Sequence, residues 1–143
     1  MRISVIGGSS VDEKTYAISK ELGQRLGNNG HDVICGGLGG VMKGVGEGMA
    51  STSGQTTGIL PGTDTAMANE YIDVPIATGL GNARNVLVAL NGDGVIAIDG
   101  KTGTLSEIAH ALDFGKPVAG IDTHDVSGVR SVDSAKAAIT YIE

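Results

Sequence analysis

Apolar positions in this chain fall into short runs that end in glycine, separated by stretches in which apolar residues recur every third or fourth position. Ile3-Ser4-Val5-Ile6 predicts a strand, and Gly7-Gly8-Ser9-Ser10 follows it. Ser10 and Glu13 have the spacing of a capping box, and Ile18, Leu22 and Leu26 give the helix after them one apolar stripe ending near Gly27 to Gly30. Asp32 to Cys35 repeats the strand, Gly36-Gly37-Leu38-Gly39-Gly40 repeats the loop, and Val41, Met42, Val45 and Met49 repeat the helix. Thr56 to Leu60 predicts a third strand closed by Pro61-Gly62-Thr63-Asp64, and an irregular link leads to a fourth over Tyr71 to Ala77. Gly79-Leu80-Gly81-Asn82 opens a helix with Arg84 in its first turn and Val86, Leu87 and Leu90 inward. Val95 to Ile98 is the fifth strand, Asp99 to Glu107 a turn and helix start, and Lys116-Pro117 the stop. Val118 to Ile121 is the sixth strand, His124 to Ser131 a mobile loop, and Val132 to Ile142 the last helix.

Strands of near-continuous apolar character, alternating with helices, predict an α/β fold: a single-domain, doubly wound (Rossmann-like) parallel sheet over residues 1–143 with helices on both faces. Right-handed crossovers place every strand-to-helix loop at the carboxyl edge of such a sheet, where ligands bind. The five glycine loops are therefore expected in one crevice.

Composition narrows the ligand. The 24 glycines show no collagen period and cluster after apolar runs, so they read as turn chemistry. A net charge of −6, with ten basic residues scattered along the chain, gives no stripe for a nucleic-acid backbone, and no nucleic-acid partner is expected. No apolar run approaches the ~20 residues that span a bilayer, and no signal peptide precedes the first strand, which predicts a soluble, cytoplasmic protein without a membrane partner. Cys35 ends a buried strand with no histidine placed to activate it, and reads as core. Glu107 and His110 form one E-x-x-H with no second copy, so no metal held by the protein is expected. Aromatic residues total 3%, leaving little beyond Tyr16 and Tyr71 to stack on a ring.

The chemistry concentrates in Asp99-Gly100-Lys101-Thr102-Gly103-Thr104-Leu105-Ser106-Glu107. Thr104 and Glu107 have capping-box spacing, and the free N–H groups of a helix's first turn, with glycines allowing close approach, suit a phosphate. Glu107 would repel that phosphate, so it is expected to face a sugar or another polar part of the ligand. Arg84 would oppose the dipole of its own helix, a placement that points to an anion partner, with a solvated surface arginine as the alternative. Neither the dinucleotide fingerprint nor the P-loop is present.

Gly7-Gly8-Ser9, Cys35 to Met42, Gly58 to Gly62, Arg84 and Gly103 to Glu107 resemble, in that order, landmarks of the lysine-decarboxylase-like Rossmann (SLOG) superfamily. That superfamily includes the Lonely Guy phosphoribohydrolases, the DprA-related proteins and the molybdenum cofactor carrier proteins. Ile59 to Thr65, Asp73 to Ile76 and Thr78 to Arg84 look closest to the carriers. The motif P-G-G-x-G-T-x-x-E reads D-G-K-T-G-T-L-S-E here, and an R-K pair reads Arg84-Asn85, with Lys101 restoring the charge. The resemblance implies a carrier that binds a phosphorylated nucleotide-like cofactor, of which the molybdenum cofactor is one candidate. Its site would comprise Gly7, Gly8, Ser9, Gly36, Gly37, Gly39, Gly40, Met42, Pro61, Gly62, Gly81, Asn82, Arg84, Gly100, Lys101, Thr102, Gly103, Thr104 and Glu107. The alternative is a nucleoside 5′-monophosphate phosphoribohydrolase with Arg84 and Glu107 as catalytic residues. Family members are homodimers or larger, which the resemblance extends to this chain, with the faces around Met42 and Val86 as candidate contacts.

Overall fold

The computed structural model describes all 143 residues. In chain order the strands and helices are β1 (Arg2–Gly7), α1 (Glu13–Asn28), β2 (Asp32–Cys35), α2 (Val41–Met49), β3 (Thr56–Leu60), β4 (Val74–Ala77) and α3 (Asn85–Asn91). There follow β5 (Gly94–Ile98), α4 (Thr102–Asp113), β6 (Val118–Ile121), β7 (Val129–Ser131) and α5 (Ala135–Ile142). Short 3₁₀ turns at Thr65–Met67 and Gly81–Arg84 flank β4.

All strand pairs are parallel, in the order β4-β3-β2-β1-β5-β6-β7. The chain winds outward from β1 to β4, then jumps back to lay β5 beside β1, in register from Ile3 with Gly94 to Gly7 with Ile98. That reversal puts α1 and α2 on one face and α3 and α4 on the other. Leu22, Leu26, Val41, Val45 and Met49 pack on Ile3, Val5, Val33 and Ile96, joined by Ala138 and Ile142 of α5. Val88, Ala89, Ile108 and Ala111 pack on Ile6, Ile34, Ile59, Val95 and Ala97. The predicted doubly wound α/β fold is the observed one, and no helix is long and apolar enough to cross a membrane.

Several expected details differ. Asp12, not Ser10, caps α1, its carboxylate accepting from Thr15 N–H at 2.8 Å. The fourth strand begins at Val74; just before it the exposed Asp73 accepts from Thr56 N–H through its side chain. In α3 the buried apolar residues are Val88 and Ala89, and Leu90 is exposed, because the helix begins only at Asn85 and its inward stripe shifts accordingly. The segment expected as a loop holds β7, an edge strand of three residues with too little apolar content to register, and the last helix starts at Ala135, capped by Ser134. Met42 is buried against the core and Val86 is half-buried.

The α1–α2 seam accounts for several glycines without any ligand. A Cβ on Gly23 would lie 2.1 Å from the Val45 carbonyl oxygen, and one on Gly48 2.0 Å from that of Lys20. The two helices approach this closely only where glycine removes the side chain.

Candidate functional site

Where the winding reverses, the loops after β1 and β5 diverge and leave a crevice at the carboxyl edge, the position at which open α/β sheets bind ligands. Its volume is about 250 Å³. Gly7, Gly8 and Ser9 of the first loop, Gly36 beyond β2, Met42 of α2, and Asn82 and Arg84 of the 3₁₀ turn line it. Gly100, Lys101, Gly103, Thr104 and Glu107 close the other side, with Val5 and Ile6 at the base.

The start of α4 is uncapped. Lys101 occupies the cap position without a side-chain hydrogen bond, and the first amide with an intrahelical partner here is Leu105, which donates to Lys101 O at 3.0 Å. The amides of Thr102, Gly103 and Thr104 precede that bond, so the positive end of the helix dipole is open to an anion. The expected Thr104–Glu107 capping box does not form, because the helix begins two residues before Thr104 and carries both side chains inward, to 3% and 7% exposure. Gly100, at φ +99°, sits so close to Thr104 that a Cβ would lie 2.2 Å from its Oγ1; only glycine fits this turn.

Arg84 is 7% exposed, which rules out the solvated surface arginine. Its Nε donates to Ile59 O at 2.8 Å, Nη2 to Gly36 O at 3.4 Å and Nη1 to Asn85 Oδ1. These bonds engage three guanidinium N–H groups and leave two without a protein acceptor. No carboxylate lies within ion-pair distance of it, and its three hydrogen bonds all run to neutral acceptors. Burial pulls the guanidinium below its usual pKa, while Glu107 and Cys35 pull it back.

Glu107 makes no hydrogen bond to the protein although it is 93% buried, and it faces the crevice from the second turn of α4. Burial pushes its carboxyl up to about 7, against the opposing influence of Arg84. Near neutrality it can therefore accept a hydrogen bond as carboxylate or donate one as acid. The Cys35 thiol, wholly buried in the core, is pushed up to about 11 by the same desolvation.

Other residues grouped with this site lie apart from the lining. Gly37 backs onto Leu60, and Gly40 underlies the first loop, where Val41 N–H donates to Gly8 O at 2.9 Å. Gly39 lies against Ser9 O. The Pro61-Gly62 and Gly79-Gly81 loops bond to one another, Gly79 N–H to Gly62 O and Gly81 N–H to Pro61 O, both at 2.9 Å. Thr102 side chain is exposed. The lining also includes Ser10, Leu38, Asn85 and Asp99, which stand within the quoted motifs but outside the expected site. Tyr16 bonds Glu47 on the α1–α2 surface, and neither Tyr16 nor Tyr71 reaches the crevice. A wider cavity of about 720 Å³ lies beyond β6, but its carboxylates Asp122, Asp125 and Asp133 are exposed.

Comparison with known proteins agrees with this architecture. An uncharacterized protein of Archaeoglobus fulgidus is 40% identical over 142 residues, covering 99% of this chain and 93% of that one. The molybdenum cofactor binding protein of Rippkaea orientalis superposes with a TM-score of 0.91 at 33% identity, covering 97% of this chain and 93% of its own. The molybdenum cofactor carrier protein of Chlamydomonas reinhardtii does so with a TM-score of 0.85 at 30% identity, over 97% and 93%. The model of the SLOG cluster4 family matches residues 1–143, the whole of the sheet and every loop around the crevice, and the chain belongs to that family.

Proposed function

We propose that this protein binds a phosphorylated, nucleotide- or pterin-like cofactor in the crevice between β1 and β5, as a carrier of the molybdenum cofactor type. The observation that carries this reading is the meeting of two unspent anion-binding elements, the uncapped start of α4 and the unpaired charge of Arg84, in one crevice. The two solved relatives named for the molybdenum cofactor share the fold over nearly the full chain.

The residues fit such a group by their donors. The amides of Thr102, Gly103 and Thr104 would take phosphate oxygens, Arg84 would face the same charge, and the first loop at Gly8 and Ser9 would close over it. Glu107, one turn along the helix, would meet a hydroxyl or amine of the ligand. No cluster of three or more His, Cys, Asp or Glu side chains has metal-binding geometry, so the grip would fall on the organic, phosphorylated part. The cofactor itself would supply the metal-dithiolene redox chemistry, and this chain would hold and shield it. The reading carries with it a cytoplasmic location and a homo-oligomer, the latter testable by light scattering.

Incubation with molybdopterin-type cofactor, desalting, and measurement of the retained ligand by absorbance and mass tests the proposal. Stoichiometric retention that falls at least tenfold in Arg84→Gln is expected, since a charged hydrogen bond is worth about 1.5–3 kcal/mol. Equal recovery from wild type and an unrelated protein would contradict it.

A second reading, the phosphoribohydrolase, is favoured by the buried, unpartnered Glu107 lining the crevice with Arg84. A carboxylate there would stabilise the oxocarbenium-like state through which an N-glycosidic bond breaks. Free base and ribose 5-phosphate released from nucleoside monophosphates, and abolished by Glu107→Ala, would establish turnover.

A further inference from the structure

We infer that Asn85 is a positioning residue for the crevice: it holds Arg84 through a neutral acceptor and links it to the first turn of α4, so that guanidinium and helix amides grip one anion together. This rests on the anion-binding reading above.

Asn85 opens α3 and is 4% exposed. Its Oδ1 accepts from Arg84 Nη1, and its Nδ2 donates to Ser106 Oγ at 3.2 Å. Ser106 Oγ donates in turn to Gly103 O at 2.6 Å, inside the turn whose amides are open. The other Arg84 bonds run to Ile59 and Gly36, at the ends of β3 and β2. Of the three attachments, only the one through Asn85 reaches the β5–α4 side of the crevice. Without it no side-chain hydrogen bond ties the guanidinium, whose other bonds run to β2 and β3, to the helix start that follows β5.

The side chain's chemistry matters as much as its reach. A carboxylate in this place would pair with Arg84 and cancel its charge while the site is empty. An aliphatic side chain would leave a buried guanidinium N–H unpaired and Ser106 without its donor. The amide accepts on one side and donates on the other, holding the guanidinium without adding a carboxylate against it.

The test is a titration of wild type, Asn85→Asp and Ser106→Ala with sulfate at pH 7.5, followed by amide and Arg84 Nε–H NMR shifts, with melting temperatures alongside. In wild type the Gly103, Thr104 and Arg84 signals should move together with one Kd. Asn85→Asp should keep or raise the melting temperature and weaken sulfate binding at least tenfold. Ser106→Ala, at a half-buried position, should leave the fold intact, weaken binding about threefold and make the Arg84 and α4 signals move with different midpoints. A residue serving only the fold would lower the melting temperature and leave Kd alone. Folded variants binding sulfate within twofold of wild type would overturn the inference while leaving the anion site standing; should Asn85→Asp not fold, the Ser106→Ala result decides. A wild type whose Gly103, Thr104 and Arg84 signals ignore sulfate would overturn both.

Discussion

In the seam between α1 and α2 a Cβ on Gly23 would lie 2.1 Å from the Val45 carbonyl oxygen, whereas in the first turn of α4 a Cβ on Gly103 would meet nothing closer than Asn85 Nδ2, at 3.8 Å. The same residue type serves opposite ends. Along the seam its missing side chain lets two backbones touch, and the space is filled. At Gly103 it leaves backbone N–H groups uncovered, and the space stays open. Polar groups follow the same division: Tyr16 and Lys20 both donate to Glu47 on the α1–α2 surface, while Arg84 and Glu107 remain buried with unused donors and acceptors. A fold selected for stability alone would pair or remove such groups, so their presence marks the region that serves a ligand.

Four substitutions would sharpen or break this contrast. Gly23→Ala should destabilise the protein by about 3 kcal/mol in urea melts, because the new methyl meets backbone that cannot turn aside. A loss below about 0.5 kcal/mol would mean the seam is not closed by contact.

Glu107→Gln comes next, and its effect depends on pH. Because burial raises the carboxyl from its ordinary 4.5 to about 7, the folded protein keeps a proton that the unfolded chain gives up. That contribution is fully present below about 4.5 and is lost as pH rises to about 7. The variant should therefore exceed wild type by about 1–3 kcal/mol at pH 8, with the gap falling well below that at pH 5. Equal stability at both pH values would place Glu107 in contact with water or a partner.

Gly103→Ala should do the reverse of Gly23→Ala. It should raise stability by a few tenths of a kcal/mol, as alanine favours the helix, and weaken sulfate binding by crowding the open amides. Lys20→Ala should change little, within about 0.5 kcal/mol by thermal melts, since its ion pair with Glu47 lies at the surface.

The same contrast explains what could be read from the sequence. The alternation of strands and helices in a parallel sheet, and the gathering of loops at its carboxyl edge, follow from apolar runs such as Val95 to Ile98 broken by glycine. The short Val-Arg-Ser strand could not be read, because its place is fixed by pairing with β6 rather than by its own apolar content. The sequence puts the cap of α4 three residues late, at Thr104 instead of Lys101, because Thr104 and Glu107 imitate a cap by spacing alone. Pattern also cannot separate glycines that pack from glycines that open a site. Gly40 and Gly23 owe their roles to partners such as Gly8 and Val45, which the fold alone brings near. Asn85 could be read only as the departure from an R-K pair, because its link to Ser106 spans 21 positions.

The most direct measurement is the crystal structure of the protein grown with inorganic phosphate or a phosphorylated pterin. Phosphate oxygens within hydrogen-bond distance of the Gly103 and Thr104 amides, with Arg84 facing them across the crevice, are the predicted result. Phosphate found only beyond β6, or a crevice filled by the protein's own side chains, would contradict the account.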